Sequence, residues 1–227
     1  MQINSDFSQQ ATVKAQDYQW VPSPLPGVDR VMLDRIGNEK ARATSIVRYA
    51  PHSSFSAHGH PGGEEILVLE GVFSDETGDF PQGWYLRNPP KSVHTPFSEA
   101  GATIFVKLWQ MLPSDNQTVR ININDTANWQ EVNGQLICPL FKDNGEDVYM
   151  QKLAVEQSVV TNNPCAELTE VFVYQGSVEF HGDVYHQGSW IRLPQATITT
   201  DIAAKTQDTM VYVKQATLHP IDSEALR

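Results

Sequence analysis

The chain has 227 residues, a formal net charge of −11 at pH 7 and an isoelectric point near 5.0. Because its basic residues are diluted by acidic ones, we expect no nucleic-acid partner. No segment approaches ~18 consecutive apolar residues, and the polar N-terminus has no signal-peptide pattern, so we expect a soluble cytoplasmic protein without a membrane partner. The two cysteines, Cys138 and Cys165, lack C-x-x-C spacing, which predicts buried reduced thiols.

Short segments rich in β-branched and aromatic residues recur along the chain. In order they are ATSIVRY, EILVLEGVF, GWYLRN, TIFVKLWQM, VYMQKLAVE, EVFVYQGSVEF, GSWIRL and TMVYVKQ. Turn-forming residues separate them, and DETGD (75–79) is predicted to be a solvated hairpin tip. Many short strands with regular turn signals predict an all-β protein, built as a barrel or a sandwich.

The sequence repeats itself at an offset of 105 residues. This offset aligns EILVLEG (65–71) with EVFVYQG (170–176) and QGWYLRNP (82–89) with QGSWIRLP (187–194). Two tandem copies of one β-domain explain the match. We place the boundary in the polar stretch 112–130, which gives domains of residues 1–115 and 116–227.

Three histidines form a candidate metal site. His58 and His60 are separated by one residue, so in a strand both imidazoles point to the same face. Pro61-Gly62-Gly63 can turn the chain and return a carboxylate to that point, and a proline-containing turn can deliver His94 from a neighbouring strand. Imidazoles combined with a carboxylate form a ligand set suited to Zn, Fe, Mn, Ni or Co.

The repeat indicates which of two adjacent glutamates faces this site. The candidate ligands His58, His60, Glu64 and His94 correspond to Asn163, Cys165, Thr169 and Thr199 in the second copy. Glu65, in contrast, is kept as Glu170. Because a ligand is expected to disappear together with its site, we predict that Glu64 is the ligand and that Glu65 forms a structural pair with Arg87. The second copy is predicted to be free of metal.

Two groups of residues fit the sequence motifs of the cupin superfamily. The first motif, G-x5-H-x-H-x3/4-E-x6-G, is matched without its leading glycine by His58, His60, Glu64 and Gly71. The second, G-x5-P-x-G-x2-H, is matched by Gly83, Pro89 and His94, with Lys91 where glycine is usual. The chain therefore resembles a bicupin. The resemblance implies two tandem jelly-roll β-barrel domains and a backbone conformation at Lys91 that glycine adopts more readily.

Residues 42–110 resemble more narrowly the cupin domain of ChrR-type anti-sigma factors. In that family two histidines, a glutamate and a later histidine bind zinc, and the domain takes part in the response to oxidative stress. The resemblance implies zinc as the first candidate, with iron, manganese or nickel as the others. It also implies a sigma factor as partner, although the family's N-terminal H-x3-C-x2-C signature is absent from this sequence. Because cupin sheets commonly pair, a homodimer is a further expectation.

Two functions remain open at this point. The first is a metal-binding sensor or transcriptional regulator that responds to an oxidant or a small ligand and has no catalytic residues. The second is an Fe- or Mn-dependent cupin oxygenase acting on a small organic substrate, since three histidines and a glutamate leave coordination positions free. An apolar pocket beside the metal could then be lined by Phe55, Trp84, Tyr85, Phe97 and Phe105.

Overall fold

The computed structural model describes residues 1–143, 145–161, 166–195 and 201–218. This part of the chain is almost entirely β-structure, with short 3-10 helices at Ala15–Asp17 and Thr126–Asn128. The strands are β1 (Gln2–Ile3), β2 (Ala11–Val13), β3 (Val21–Pro22), β4 (Val28–Gly37), β5 (Ala41–Tyr49), β6 (Ser53–Ser54), β7 (His58–His60), β8 (Glu64–Asp75), β9 (Gly78–Pro81), β10 (Trp84–Asn88), β11 (Ser92–His94), β12 (Phe97–Ser98), β13 (Ala102–Leu108), β14 (Val119–Asn122), β15 (Gln130–Val132), β16 (Gln135–Lys142), β17 (Glu146–Leu153), β18 (Leu168–Gln175), β19 (Ser177–Phe180), β20 (Asp183–His186), β21 (Trp190–Pro194), β22 (Ala203–Ala204) and β23 (Thr209–Ala216). The predicted all-β class is confirmed.

The described residues divide into two compact units, and each unit draws on two segments of the chain. The first unit comprises Met1–Ser5 and Gln19–Asn124, and the second comprises Asp6–Tyr18 and Asp125–Leu218. The main sheet of the first unit has the strand order β1-β4-β5-β13-β8-β10-β14, and that of the second has the order β15-β16-β17-β23-β18-β21-β2. The two orders correspond strand by strand, as the internal repeat predicts.

A glycine turn occurs at equivalent positions of the two units. The amide of Gly83 donates a hydrogen bond to the Val68 carbonyl at 2.9 Å, and the amide of Gly188 donates one to the Val173 carbonyl at 2.8 Å. Both glycines lie in the left-handed region, with φ of +92° and +89°. Because residues with a side chain are strained there, this turn accounts for the two glycines that match in the repeat.

The limits of the units differ from the predicted division between residues 115 and 116. Strand β14 pairs with β10 and completes the first unit, which extends it to Asn124. Strand β2 pairs with β21, so residues 6–18 belong to the second unit. Each edge strand of this kind supplies the hydrogen bonds that the outer side of β10 or β21 would otherwise leave unmade.

Each unit has its own apolar core on one face of its main sheet. In the first unit the buried cluster contains Val28, Tyr49, Ile66, Val68, Phe73, Phe80, Leu86, Ala102, Ile104 and Val106. In the second it contains Ile137, Tyr149, Leu153, Val159, Val171, Val173, Val178, Phe180, Tyr185, Ile191, Leu193, Ile202, Ala204, Val211 and Val213. The alternation of strand residues places a second set of buried side chains on the opposite face.

That opposite face of the first unit carries a buried ion pair. Arg87 Nη1 lies 3.2 Å from Glu65 Oε2, and the two side chains are 1% and 3% exposed. Arg87 Nη2 lies 2.7 Å from Asp115 Oδ2. This geometry confirms the structural pair predicted for Glu65 and Arg87. In the second unit Glu170 and Arg192 are direct neighbours across β18 and β21.

Candidate metal centre

Strands β7 and β11 form a small antiparallel sheet that presents three histidines on one face. In its register His94 lies opposite His58, and Ser92 lies opposite His60. His58 and His60 are two residues apart and share a face, as the strand period requires. The turn after β7 packs closely on Trp109, since a Cβ atom on Gly62 would lie 2.7 Å from the Trp109 Cα.

The structure brings all four candidate ligands together. The ring nitrogens of His58, His60 and His94 lie within 4.8 Å of one another. His60 Nε2 and His94 Nε2 are 2.9 Å apart. Glu64, the first residue of β8, places Oε2 3.5 Å from His60 Nε2 and 3.4 Å from His94 Nε2. The three histidines thus form the centre, with the carboxylate beside two of them.

The separations among His60, His94 and Glu64 fit donors around a single metal ion. With metal–nitrogen bonds of about 2.0–2.1 Å, two donors at a right angle are about 2.9 Å apart and two at the tetrahedral angle are about 3.4 Å apart. The distances of 2.9, 3.5 and 3.4 Å among His60, His94 and Glu64 fall at these values. The donor set of imidazole nitrogens and a carboxylate oxygen therefore fits a divalent transition metal.

Neighbouring groups orient the candidate ligands. Asn88 Nδ2 donates a hydrogen bond to Glu64 Oε2 at 3.1 Å. His58 Nδ1 lies 2.9 Å from the Ser56 carbonyl oxygen, and His94 Nδ1 lies 3.4 Å from Asp75 Oδ2. An oxygen acceptor at Nδ1 favours the tautomer that carries its proton there, which leaves Nε2 free to bind a metal.

The protonation of the site follows from burial and from these contacts. Burial lowers the pKa of His60 below its ordinary value, against the opposing charge of Glu64. Burial would also lower the pKa of His94, but the hydrogen bond to Asp75 and the charges of Glu64 and Asp75 outweigh it and raise that pKa. Although burial opposes ionisation of Asp75, hydrogen bonds from His94 and Thr77 lower its pKa to about 2. The His94–Asp75 pair is thus strongly polarised.

A cavity of about 500 Å³ within the first unit borders the histidine cluster. Its lining includes His58, His60 and Glu64 at one side. Its apolar wall is formed by Val28, Val47, Tyr49, Phe55, Ile104, Val106 and Leu108. The volume lies in the range of ordinary small-molecule sites, so the candidate ligands face a space that admits an organic molecule.

Several residues lie elsewhere than the sequence suggested. Of the five aromatic residues proposed for a pocket, Phe55 lines the cavity, with its ring centroid 5.6 Å from that of His58. Tyr85 and Phe105 neighbour Leu67 in the strand registers, on the face of the sheet opposite the core residues Ile66 and Val68. The predicted hairpin tip at 75–79 forms, but Asp75 is buried rather than solvated.

Sequence reasoning missed Asp75, Asn88, Tyr49, Arg30 and Arg35. Each reaches the site through strand pairing across the barrel, which short motifs do not encode. Lys91 adopts φ of +72°, which confirms the glycine-like conformation expected from the second motif.

The second unit offers a partial comparison. Thr169 takes the position of Glu64 and is buried. The counterparts of the three histidines, Asn163, Cys165 and Thr199, lie outside the described residues. Within the described ranges, the histidine cluster of the first unit is the one group of three or more metal-binding side chains. The absence of metal from the second unit stays a prediction.

Comparison with known proteins agrees with the fold. The matching strand order of the two units and the likeness to solved cupin structures show a cupin-like fold, as the sequence motifs imply. Residues 8–112, slightly less than half of the chain, match the family described as the ChrR Cupin-like domain. A search of curated proteins found no significant match.

Three solved structures illustrate the likeness of fold. Bacterial pirin YhhW from Escherichia coli, in complex with nickel(II), has a TM-score of 0.67 at 12% identity and covers 92% of this chain and 100% of that one. A provisionally assigned dioxygenase from Nostoc punctiforme has a TM-score of 0.70 at 12% identity, over 95% and 86% of the two chains. A cupin 2 conserved barrel domain protein from Leptotrichia buccalis has a TM-score of 0.56 at 12% identity, over 87% and 92%.

Across the residues that the structure describes, no helix has the length and apolar character needed to cross a membrane.

Proposed function

We propose that this chain is a metal-dependent cupin in which His58, His60 and His94, with Glu64 beside them, hold one divalent transition metal. The proposal rests on the convergence of three histidine ring nitrogens within 4.8 Å on a two-stranded sheet. The 2.9 Å separation of two Nε2 atoms supports it, because two facing lone pairs repel unless a proton or a cation lies between them.

The cavity is the observation that carries the choice of function. A site that only loses a ligand on oxidation needs no space beside the metal. Here about 500 Å³ of largely apolar space borders the candidate ligands, which favours a metalloenzyme of the cupin oxygenase class acting on a small organic molecule. The Nostoc punctiforme structure, a provisionally assigned dioxygenase, has a similar fold.

Each part of the site has its own task in this proposal. The three histidines hold the metal, Asp75 orients His94, and Asn88 orients Glu64. When bound, the metal supplies a Lewis acid with free coordination positions for substrate or oxygen. Phe55 and the strand side chains of the cavity exclude bulk water from the reacting molecule.

A regulatory role with zinc is the second candidate. The match of residues 8–112 to the ChrR Cupin-like domain favours it. In that case zinc holds the two small strands together, and its loss changes the packing of the barrel. A sigma factor, an oxidant or a second copy of the chain would be the partner.

Metal analysis of protein purified without added metal tests the site. We expect about one metal ion per chain in the wild type and in the His52→Ala control, whose imidazole is exposed and bound to Glu99. The His58→Ala/Glu64→Ala double variant should lose the metal. Metal that survives the double substitution would place the site elsewhere.

The identity of the metal and oxygen consumption then separate the two functions. Iron or manganese in the purified protein, with Fe(II)-dependent oxygen uptake in the presence of a small diketone or thiol, supports the oxygenase. The His94→Ala variant should show no uptake. Zinc as the resident metal, with no oxygen uptake by the Fe(II)-loaded protein, supports the regulatory role.

A further inference from the structure

One wall of the cavity carries two arginines on the same strand. Arg30 and Arg35 both belong to β4 and both line the cavity. Strand alternation alone would place residues five apart on opposite faces. A β-bulge between Met32 and Asp34 shifts the register, so that Arg30 pairs with Val47 and Arg35 pairs with Ala43. Since Val47 and Ala43 are four residues apart on β5, both arginines face the cavity.

Arg35 is buried without an acidic partner. Its residue exposure is 4%, and its Nη2 donates hydrogen bonds to the carbonyl oxygens of Asn38 and Glu39, the latter at 3.4 Å. No carboxylate of the described residues lies within ion-pair distance of it. Burial and the nearby charge of Arg30 lower its pKa. The charge of Glu39 opposes this lowering, but Arg35 makes its hydrogen bonds to backbone carbonyls, and an anion in the cavity would offset the cost of burying its guanidinium.

Arg30 is only partly neutralised. It forms a bidentate ion pair with Glu39, with nitrogen–oxygen distances of 3.0 and 3.2 Å. The Glu39 side chain is 64% exposed, so this pair lies at the solvent side of the cavity. Arg30 Nε is buried and has no hydrogen-bond partner among the described residues. The Nε–H group of Arg30 is therefore available as a hydrogen-bond donor on the same wall as Arg35.

The cavity is lined by cationic side chains, by apolar side chains and by candidate metal ligands. Arg30, Arg35 and Lys40 outnumber the single carboxylate of Glu39 on the cationic wall, in a chain whose net charge is −11. In the strand registers Ala43 and Leu108 lie between Arg35 and Glu64, so apolar residues separate this wall from the candidate metal ligands. A planar guanidinium binds a carboxylate through two parallel hydrogen bonds, which specifies orientation as well as charge.

We propose that the cavity binds a small organic carboxylate, whose carboxylate group is held by Arg35 with help from Arg30 and whose apolar body extends toward the metal centre. The orientation toward the metal rests on the proposed function, whereas binding by the arginines stands without it. A singly charged carboxylate matches this wall better than a phosphate dianion, because Glu39 already neutralises one of the two guanidinium groups.

Calorimetric titration with benzoate and with its neutral analogue benzamide tests the proposal. Metal-free protein prepared with a chelator and metal-loaded protein are both titrated. We expect wild type to bind benzoate at least about tenfold more tightly than benzamide, and the Arg35→Met variant to lose that preference. The Arg48→Met control removes an exposed arginine paired with Asp29 and should bind as wild type does.

The outcomes separate this proposal from the proposed function. Benzoate binding that depends on Arg35 in metal-free protein supports the carboxylate site whether or not a metal is found. Equal binding of benzoate and benzamide, unchanged binding in Arg35→Met, or no saturable benzoate binding in the millimolar range would overturn it. Phenyl phosphate binding more tightly than benzoate would also overturn the choice of a carboxylate.

Urea unfolding, which needs no ligand, tests whether the Arg35→Met variant is folded. Because the buried guanidinium lacks an acidic partner, Arg35→Met should unfold at the same or a higher urea concentration than wild type. Arg35→Lys keeps the charge without the planar fork and should bind benzoate with intermediate affinity, so the same comparison can be made on a second variant. A marked loss of stability in both variants would contradict the proposed absence of a partner inside the protein.

Discussion

At the scale of single residues, the centre depends on groups outside the four candidate ligands. Asp75 is the clearest case, because its ionised carboxylate faces Nδ1 of His94 at 3.4 Å. It lies at the start of a hairpin turn, where the local sequence predicts only solvated carboxylates. The structure instead places it against the imidazole of His94, a candidate metal ligand, where it can orient the ring.

Replacing Asp75 by Asn should weaken metal binding by about 10- to 100-fold, because the imidazole loses the carboxylate charge that raises its basicity and favours the tautomer with its proton on Nδ1. Competition with a chromogenic chelator measures the affinity. Asp79→Asn, on the same hairpin, is the matched control, since that exposed carboxylate accepts a hydrogen bond from Ser74 and not from a histidine. Equal affinities of the two variants would rule out the role assigned to Asp75.

The buried thiol of Cys138 is expected to make the free energy of unfolding depend on pH. Burial raises the pKa of its thiol from 9.0 to about 11. Between these values the unfolded chain releases a proton that the folded protein retains, so this thiol makes the free energy of unfolding decrease as the pH rises from 9 to 11. In urea unfolding, wild type should lose stability with pH more steeply than Cys138→Ala over this interval. Parallel curves would show that the thiol titrates normally.

At the scale of elements, the two faces of β8 have different tasks. Glu64 points to the histidine cluster, whereas Glu65 points to the opposite face and pairs with Arg87. The repeat distinguishes the two glutamates, because the candidate ligand Glu64 is replaced by Thr169 in the second copy while Glu65 persists as Glu170. Because side chains alternate along a strand, one of these adjacent glutamates faces the histidine cluster and the other forms a structural ion pair.

Removal of Arg87 should therefore destabilise the protein without a direct effect on the metal ligands. Arg87→Met removes the guanidinium that pairs with the buried carboxylates of Glu65 and Asp115, which costs about 3–5 kcal/mol. Arg48→Met, in which the lost ion pair is exposed, should cost about 1 kcal/mol. The midpoints of urea unfolding measure both. A small effect at Arg87 would mean that other groups compensate the two carboxylates.

At the scale of the whole molecule, the sequence predicted what depends on local spacing. The H-x-H spacing placed His58 and His60 on one face, and the 105-residue repeat predicted the matching strand order of the two units. The position of Arg35 could not be predicted, because it depends on a bulge that no motif marks. Strand β2 was missed because three residues with ordinary strand propensity pair with a segment far along the chain.

The assignment of residues 6–18 to the second unit leads to a last prediction. Strand β2 covers the edge of β21, the Tyr18 hydroxyl donates to the Gly188 carbonyl, and Arg192 Nη2 donates to the Asp6 carbonyl at 3.0 Å. Deleting residues 1–18 should uncover that edge, so hydrogen exchange at the amides of residues 190–194 should accelerate.

Deletion of residues 1–5 provides the control. It removes β1, which pairs with β4 in the first unit, and keeps every contact of residues 6–18 with the second unit. Exchange at residues 190–194 should then match that of the intact chain. If both deletions left this exchange unchanged, β2 would be a dispensable addition to the sheet. Faster exchange in the longer deletion alone would show that the second unit needs the segment at the start of the chain for its full stability.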